Sequence, residues 1–194
     1  MKNRIKNIYV NWDPLLEVKK IVSSSIDFIC VDFPDVDNQE NEFNMKNYKD
    51  YLFYFLCLCY TNIKSNGNIV LFFNKKYISW IGDVLKKFPL FTYKWPIFIT
   101  NEWENMKNNI VKSCYDVGYW MVEDDMNNLN IDYKLERYWM ISKENNKQSV
   151  IESLIINFTK QGDLILNWFS WPKEVWKFCS DQWRHCISII TKKY

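Results

Sequence analysis

Ile26-Asp27-Phe28-Ile29-Cys30-Val31-Asp32-Phe33-Pro34-Asp35, residues 26–35, is the stretch on which the fold turns. Its first six residues are nearly continuous in apolar and β-branched side chains, and the run is too short for an ordinary helix. That combination predicts a strand buried on both faces, as parallel sheets require, and the acids and proline at 32–35 end it. Upstream, residues 5–10 alternate like a second short strand. Asn11-Trp12-Asp13-Pro14 then makes a turn suited to a helix start, and a short helix is predicted over 15–22.

Downstream, a loop rich in Asp, Asn and Glu runs through Asn44. Residues 48–63 then have helical spacing, but Leu52, Phe53, Tyr54, Phe55, Leu56, Cys57, Leu58 and Cys59 cover every side. A helix apolar all round has to be covered on both sides. Ser65-Asn66-Gly67-Asn68 reads as a turn, 69–73 as a buried strand, 78–88 as a helix and 91–100 as an extended segment interrupted at Pro96. The order is β-α-β-α-β. Residues 101–132 read as a polar, irregular insert, and its Glu123-Asp124-Asp125 as a solvated loop rather than a metal site. A further strand is expected over 138–142. Ser149 is placed to cap a helix over 150–159, Gln161-Gly162-Asp163 to turn, and 164–166 to start a strand. A helix over 173–182 and a strand over 186–190 follow. No repeat or low-complexity linker divides the sequence, so residues 1–194 are read as one domain.

Composition narrows the function classes. With 48% apolar and 25% charged residues over 194 positions, the chain has the make-up of a globular protein with a proper core. The net charge of +2 lacks the clustered basic excess of a dedicated nucleic-acid-binding domain. No secretory signal is expected at the N-terminus. The most apolar stretch, 51–60, is half the roughly 20 residues a membrane-crossing helix needs, so no membrane span is expected. Six scattered cysteines without a CxxC pair and a single histidine, His185, argue against structural zinc, and no metal is expected. The thiols read as small buried side chains of a reducing, intracellular compartment. There is no alanine, lysine far outnumbers arginine, and Asn, Ile, Phe and Tyr abound, all of which point to AT-rich coding. Ten tryptophans fit that bias under a genetic code that also reads UGA as Trp. Some organelle genomes and wall-less bacteria use such a code, so the expected location is the mitochondrial matrix, or otherwise the cytoplasm, as for a protein of such a bacterium or its phage.

Ligands of mostly parallel sheets sit at the carboxyl ends of strands, which singles out Asp32-Phe33-Pro34-Asp35 and the segment from Asn167 to Lys173. Here the chain resembles the β-class amino-methyltransferases of DNA, which transfer a methyl group from S-adenosylmethionine to adenine N6 or cytosine N4. The resemblance runs nearly end to end. Asn7-Ile8-Tyr9-Val10-Asn11-Trp12-Asp13 is similar to the family's opening strand and Gly-Asp turn. Asp32 to Asp35 resembles a damaged Asp-Pro-Pro-Tyr, and Ile63 to Ile69 the Leu-Lys-Pro-Gly-Gly turn. Residues 149–154 and 162–166 look like the cofactor-side helix and strand, in the permuted order with the catalytic motif first. The resemblance implies a Rossmann-like, S-adenosylmethionine-dependent methyltransferase fold, mostly parallel, with helices on both faces.

The departures fall where the chemistry would be. Phe33 replaces the first proline and Asp35 the aromatic ring that would stack on a flipped-out base, so Asp32, Phe33, Pro34 and Asp35 are vestigial catalytic positions. In the cofactor loop, Asp-Pro-Phe-x-Gly-x-Gly in the family, Trp168 stands for the proline, while Trp171 and Lys173 stand for glycines that let backbone N–H groups approach the cofactor. Pro172 between them has no N–H to offer. Ile190 stands where an acid would receive the ribose hydroxyls. Asp13, Asn167, Phe169, Trp171, Lys173 and Ile190 are thus vestigial cofactor positions, with no cofactor expected. The sequence is read as a catalytically inactive, methyltransferase-like subunit whose partners are other proteins, and RNA or DNA, in a large assembly such as a mitochondrial ribosome or a methyltransferase complex. Its aromatic content of 18% suits interface anchors. The alternative reading is a divergent DNA or RNA amino-methyltransferase that binds S-adenosylmethionine.

Overall fold

A computed structural model describes residues 5–10, 15–33, 45–88, 90–101, 114–122, 138–141, 147–168 and 172–191. The elements, in chain order, are β1 (Ile5–Val10), α1 (Leu15–Val18), β2 (Ile26–Asp32), α2 (Met45–Asn62), β3 (Ile63–Asn74), α3 (Ile78–Lys86), β4 (Thr92–Asn101), β5 (Cys114–Val122), β6 (Tyr138–Ile141), α4 (Lys147–Phe158), β7 (Leu164–Trp168), α5 (Pro172–Asp181) and β8 (His185–Thr191). One turn of 3-10 helix, Lys75–Tyr77, leads into α3. The strands form a single eight-stranded sheet in the order β1-β8-β7-β2-β3-β5-β4-β6. Its pairings are parallel except where β5 lies antiparallel between β3 and β4. This is the mostly parallel α/β architecture that the alternation of strands and helices predicts.

Period-two alternation divides the central side chains between two layers. Ile29, Val31, Leu71, Phe73, Leu166 and Trp168 face a core built with α1, α2 and α3. Phe28, Cys30, Val70, Phe72, Ile165 and Cys186 face a second core under α4 and α5. Helices therefore cover both faces of the middle strands, which is why β2 and β3 are apolar without a polar side.

Several elements differ from the sequence expectation, each for a local reason. The segment 114–122 is a strand rather than part of an irregular insert; Gly118 and Asp116 break its apolar pattern, but both pair with β3 and β4 inside the sheet. Residues 102–113 and 123–137, including Glu123-Asp124-Asp125, lie outside the described residues. The turn expected at 65–68 is an outward bulge within β3: Ile26 faces Ile63 while Phe28 faces Asn68, so the residues between Ile63 and Asn68 have no counterparts on β2. A Cβ on Gly67 would come within 2.5 Å of the Ile63 side chain, so a larger residue there requires that side chain to shift. Helix α1 stops at Val18 rather than reaching 22, and Ser24 adopts φ 52° in the turn that follows. Ser149 lies inside α4, not at its cap. β4 runs through Pro96, with a shift of register between Tyr93 and Pro96. Helix α2 is covered on its sheet side by Leu52, Phe55, Leu56 and Cys59, whereas Phe53 and Tyr54 on its outer side remain 44% and 43% exposed. The expectation of cover on both sides is thus met on one.

Candidate cofactor crevice

From β7 the chain crosses through α5 to β8 on one flank; from β2 it crosses through α2 to β3 on the other. β7 and β2 are neighbours, so the direction of winding reverses between them and a crevice opens outside their carboxyl ends. Both strand ends singled out by sequence meet there. Val31 lies beside Trp168, and Trp168 beside Ile189 of β8, which puts Asp32, Asn167 and the Ile190 backbone along one rim.

Asp32 ends β2 beside Phe72 and is half-buried. The next residue turns away from the crevice. Phe33 donates its N–H to the Phe72 carbonyl (3.0 Å) and stacks its ring on Phe73, with centroids 4.7 Å apart and planes at 7°. Its edge contacts are with Phe55 at 5.3 Å and Tyr48 at 6.1 Å. Trp168 is likewise wholly buried, its indole edge-on to Phe55 at 4.8 Å. The residues that stand for motif prolines on two different strands therefore press on one phenyl ring of α2. Their bulk fills the core, not the crevice. Sequence reading placed both at altered motif positions; the signal that they also pack in the core was the apolar excess of α2, which needs aromatic partners on the sheet.

Asn167, on the opposite face of β7, is 1% exposed and lies in register between Cys30 and Ser188. It is a neutral amide where a carboxylate would otherwise be buried at considerable cost. Lys173 falls in the first turn of α5 and Ile190 near the end of β8; Asp13, Pro34, Asp35, Phe169 and Trp171 lie outside the described residues. Among the described strand-end residues of β8, β7 and β2, Asp32 is the only carboxylate. Among the described residues, no group of three or more His, Cys, Asp or Glu is placed to hold a metal ion.

Beside Phe33, sequence reading missed an aromatic group flanked by cations. Tyr48 meets Trp80 edge-on at 5.4 Å, and Tyr77 meets Trp80 at 5.6 Å. The Lys49 and Lys76 ammonium groups stand 5.8 and 5.0 Å from the Trp80 and Tyr77 ring centroids. Tyr48 and Tyr77 are buried, Trp80 is partly exposed, and both lysines reach solvent.

Solved structures share this architecture. The PvuII cytosine-N4-specific DNA methyltransferase superposes with a TM-score of 0.76 at 16% identity, covering 98% of this chain and 83% of that one. M1.HpyAVI in complex with SAM gives 0.69 at 18% identity, covering 97% and 93%. The fold is that of the DNA methyltransferases. A putative DNA modification methylase from Thermus thermophilus, complexed with S-adenosyl-L-methionine, adds a TM-score of 0.71 at 11% identity, over 95% of this chain and 87% of that one. No protein-family model matches the sequence, and no curated protein does. Among the described residues, the end of β8, Ile189-Ile190-Thr191, carries no acid, and Asn167 is 1% exposed.

Proposed function

We propose that this chain uses the methyltransferase fold as a scaffold, without transferring methyl groups, and serves as a structural or interaction subunit of an assembly that contains nucleic acid. The observation that carries this reading is the chemistry of the crevice rim, where Asp32 is the only carboxylate among the described residues of three adjacent strand ends. Bulky side chains at the glycine positions Trp171 and Lys173 support it from the sequence, since a nucleotide cofactor needs close approach to backbone N–H groups there.

Two surfaces support an interaction role. The outer side of α2 offers Phe53 and Tyr54, the kind of half-exposed aromatic side chain that anchors protein interfaces. Lys49 and Lys76, held over rings beside the crevice, suit a phosphate backbone. The codon bias read from composition favours the mitochondrial matrix as the setting, and no helix among the described residues is long and apolar enough to cross a membrane.

Calorimetric titration of the purified chain with S-adenosylmethionine, paired with a thermal-shift series, tests the reading. No binding heat and an unchanged melting temperature are expected. Saturable binding at micromolar concentration would move the chain to the alternative, a working nucleic-acid methyltransferase centred on Asp32. Copurification of the native protein with mass spectrometry then identifies the assembly.

A further inference from the structure

Helix α2 touches α1 on one side and the residues just past α3 on the other. Asn62 of α2 donates to the Val18 carbonyl at 3.0 Å, and the Phe53 ring meets Phe88 edge-on at 5.5 Å. Two neighbouring aromatic side chains straddle the outward side of this middle helix. Phe53 leans toward Phe88, and Tyr54 toward α1, where the Lys19 ammonium stands 4.9 Å from its ring centroid. Leu16, one helical turn before Lys19, is also exposed. Six of the eight large apolar side chains that are exposed among the described residues belong to α1, α2, α3 or the turns that follow them.

The charges divide the same way. Along these helices and turns the exposed charged residues, among those described, are Lys19, Lys20, Lys49, Lys86 and Lys87 against Asp50 and Asp83. Glu17 engages Lys20 at 2.7 Å, which leaves four lysines facing two aspartates. On the opposite face of the sheet, Lys160 and Lys177 are matched by Glu152, Asp163 and Asp181. Of the two helical faces, the apolar one is therefore also the basic one. Single-stranded nucleic acid stacks its bases on open rings. Here Lys19 lies over the Tyr54 ring, Phe53 is packed on Phe88, and Leu16 is aliphatic. An amphipathic helix suits such a surface better, because it brings apolar anchors at three- and four-residue spacing with carboxylates on their flanks.

We propose, on the basis of the scaffold role, that the outward side of α2 docks an acidic amphipathic helix of a partner protein. Leu16, Phe53 and Tyr54 are its apolar anchors, and Lys19, Lys49 and Lys87 meet its carboxylates. Lys49 is one turn before Phe53 on α2, and Lys87 adjoins Phe88, so both stand at the rim of the aromatic pair.

The test isolates the native assembly with an antibody to this chain and treats it with a water-soluble carbodiimide, which joins a lysine directly to a carboxylate that touches it. Peptide mapping is expected to link Lys19, Lys49 or Lys87 to Asp or Glu of another protein, in a segment with apolar residues at helical spacing. That segment, made as a fluorescent peptide, should bind the isolated chain saturably. Lys19→Glu, Phe53→Ser and Tyr54→Ser should each weaken it about tenfold, as for loss of an interface anchor, with little change in melting temperature. Ile156→Ser, on α4, should bind as the unaltered chain does. Partner links confined to Lys160 and Lys177 would overturn the docking site and leave the scaffold role standing. Links only to a second copy of this chain, ultraviolet cross-linking of nucleotide to Phe53 or Tyr54, or equal binding by every variant would do the same. Absence of any link to another protein overturns the docking site as well, and S-adenosylmethionine binding by that preparation then shows whether the scaffold role falls with it.

Discussion

Phe33 gives its N–H to Phe72 and its ring to Phe73, Phe55 and Tyr48, and the motif proline at this position could do neither. Restoring the family residue is therefore expected to damage the protein rather than repair a site. Phe33→Pro should lower stability by about 4 kcal/mol, the usual cost of deleting a buried phenyl plus a hydrogen bond. Phe33→Leu, which keeps the N–H and most of the volume, should cost about 1 kcal/mol. Urea unfolding followed by tryptophan fluorescence measures both. Equal, small effects would mean that the ring is not part of the core, and the crevice side of the motif would need to be redrawn. Asn167 belongs to the same scale: an uncharged amide buried in the sheet is tolerable where an unpaired carboxylate is not.

Helix α5 ends in a Schellman motif. Trp183 donates to the Ser180 carbonyl at 3.1 Å and Arg184 to that of Cys179 at 2.8 Å, with Trp183 at φ 58° where glycine is usual. Its side chain is 66% exposed, so little packing offsets the strain of the left-handed backbone. Trp183→Gly is thus expected to stabilise the chain by about 1 kcal/mol, whereas Gly162→Ala should destabilise it by about as much. Gly162 has φ 87° and open space where a Cβ would go, so conformation alone is at stake there. Thermal melts of both variants decide the matter, and a destabilising Trp183→Gly would show that the indole has a partner. The same motif shows why element ends were harder to read than element centres. The runs at 26–31, 69–73, 164–166 and 186–190 declare their strands by largely apolar character. The extra residues in the β3 bulge, the tryptophan in a glycine position and the β5 strand hidden by Asp116 and Gly118 are set by contacts with partners distant in sequence. The candidate site was legible as two strand ends. The inward turn of Phe33 and Trp168 was not, because it depends on where the Phe55 ring stands.

At the scale of the whole molecule, the two buried layers sort the thiols. Cys30, Cys59, Cys179 and Cys186 are buried, and burial pushes Cys59 well up, while Cys57 on α2 is partly exposed. Among these five, Cys57 should be alkylated first by iodoacetamide under native reducing conditions, with the others following only as the cores open. Peptide mapping over a time course reads the order, and early labelling of Cys59 would contradict the packing of α2 on the sheet. The middle of that sheet also links distant parts of the chain. Asp27 accepts the Leu164 N–H at 2.9 Å across 137 residues of sequence and the Lys64 ammonium at 2.6 Å, joining β2 to a neighbour on either side. A ribosome adding roughly 5–20 residues per second needs on the order of ten seconds to travel from the first of these partners to the last. For that interval β2 has its β3 neighbour but presents a bare apolar edge on the other side, in a chain whose centre can only be filled by a latecomer. Synthesis of this protein should accordingly lean on chaperones that shield a nascent sheet, and pausing translation before β7 emerges should leave an aggregation-prone intermediate.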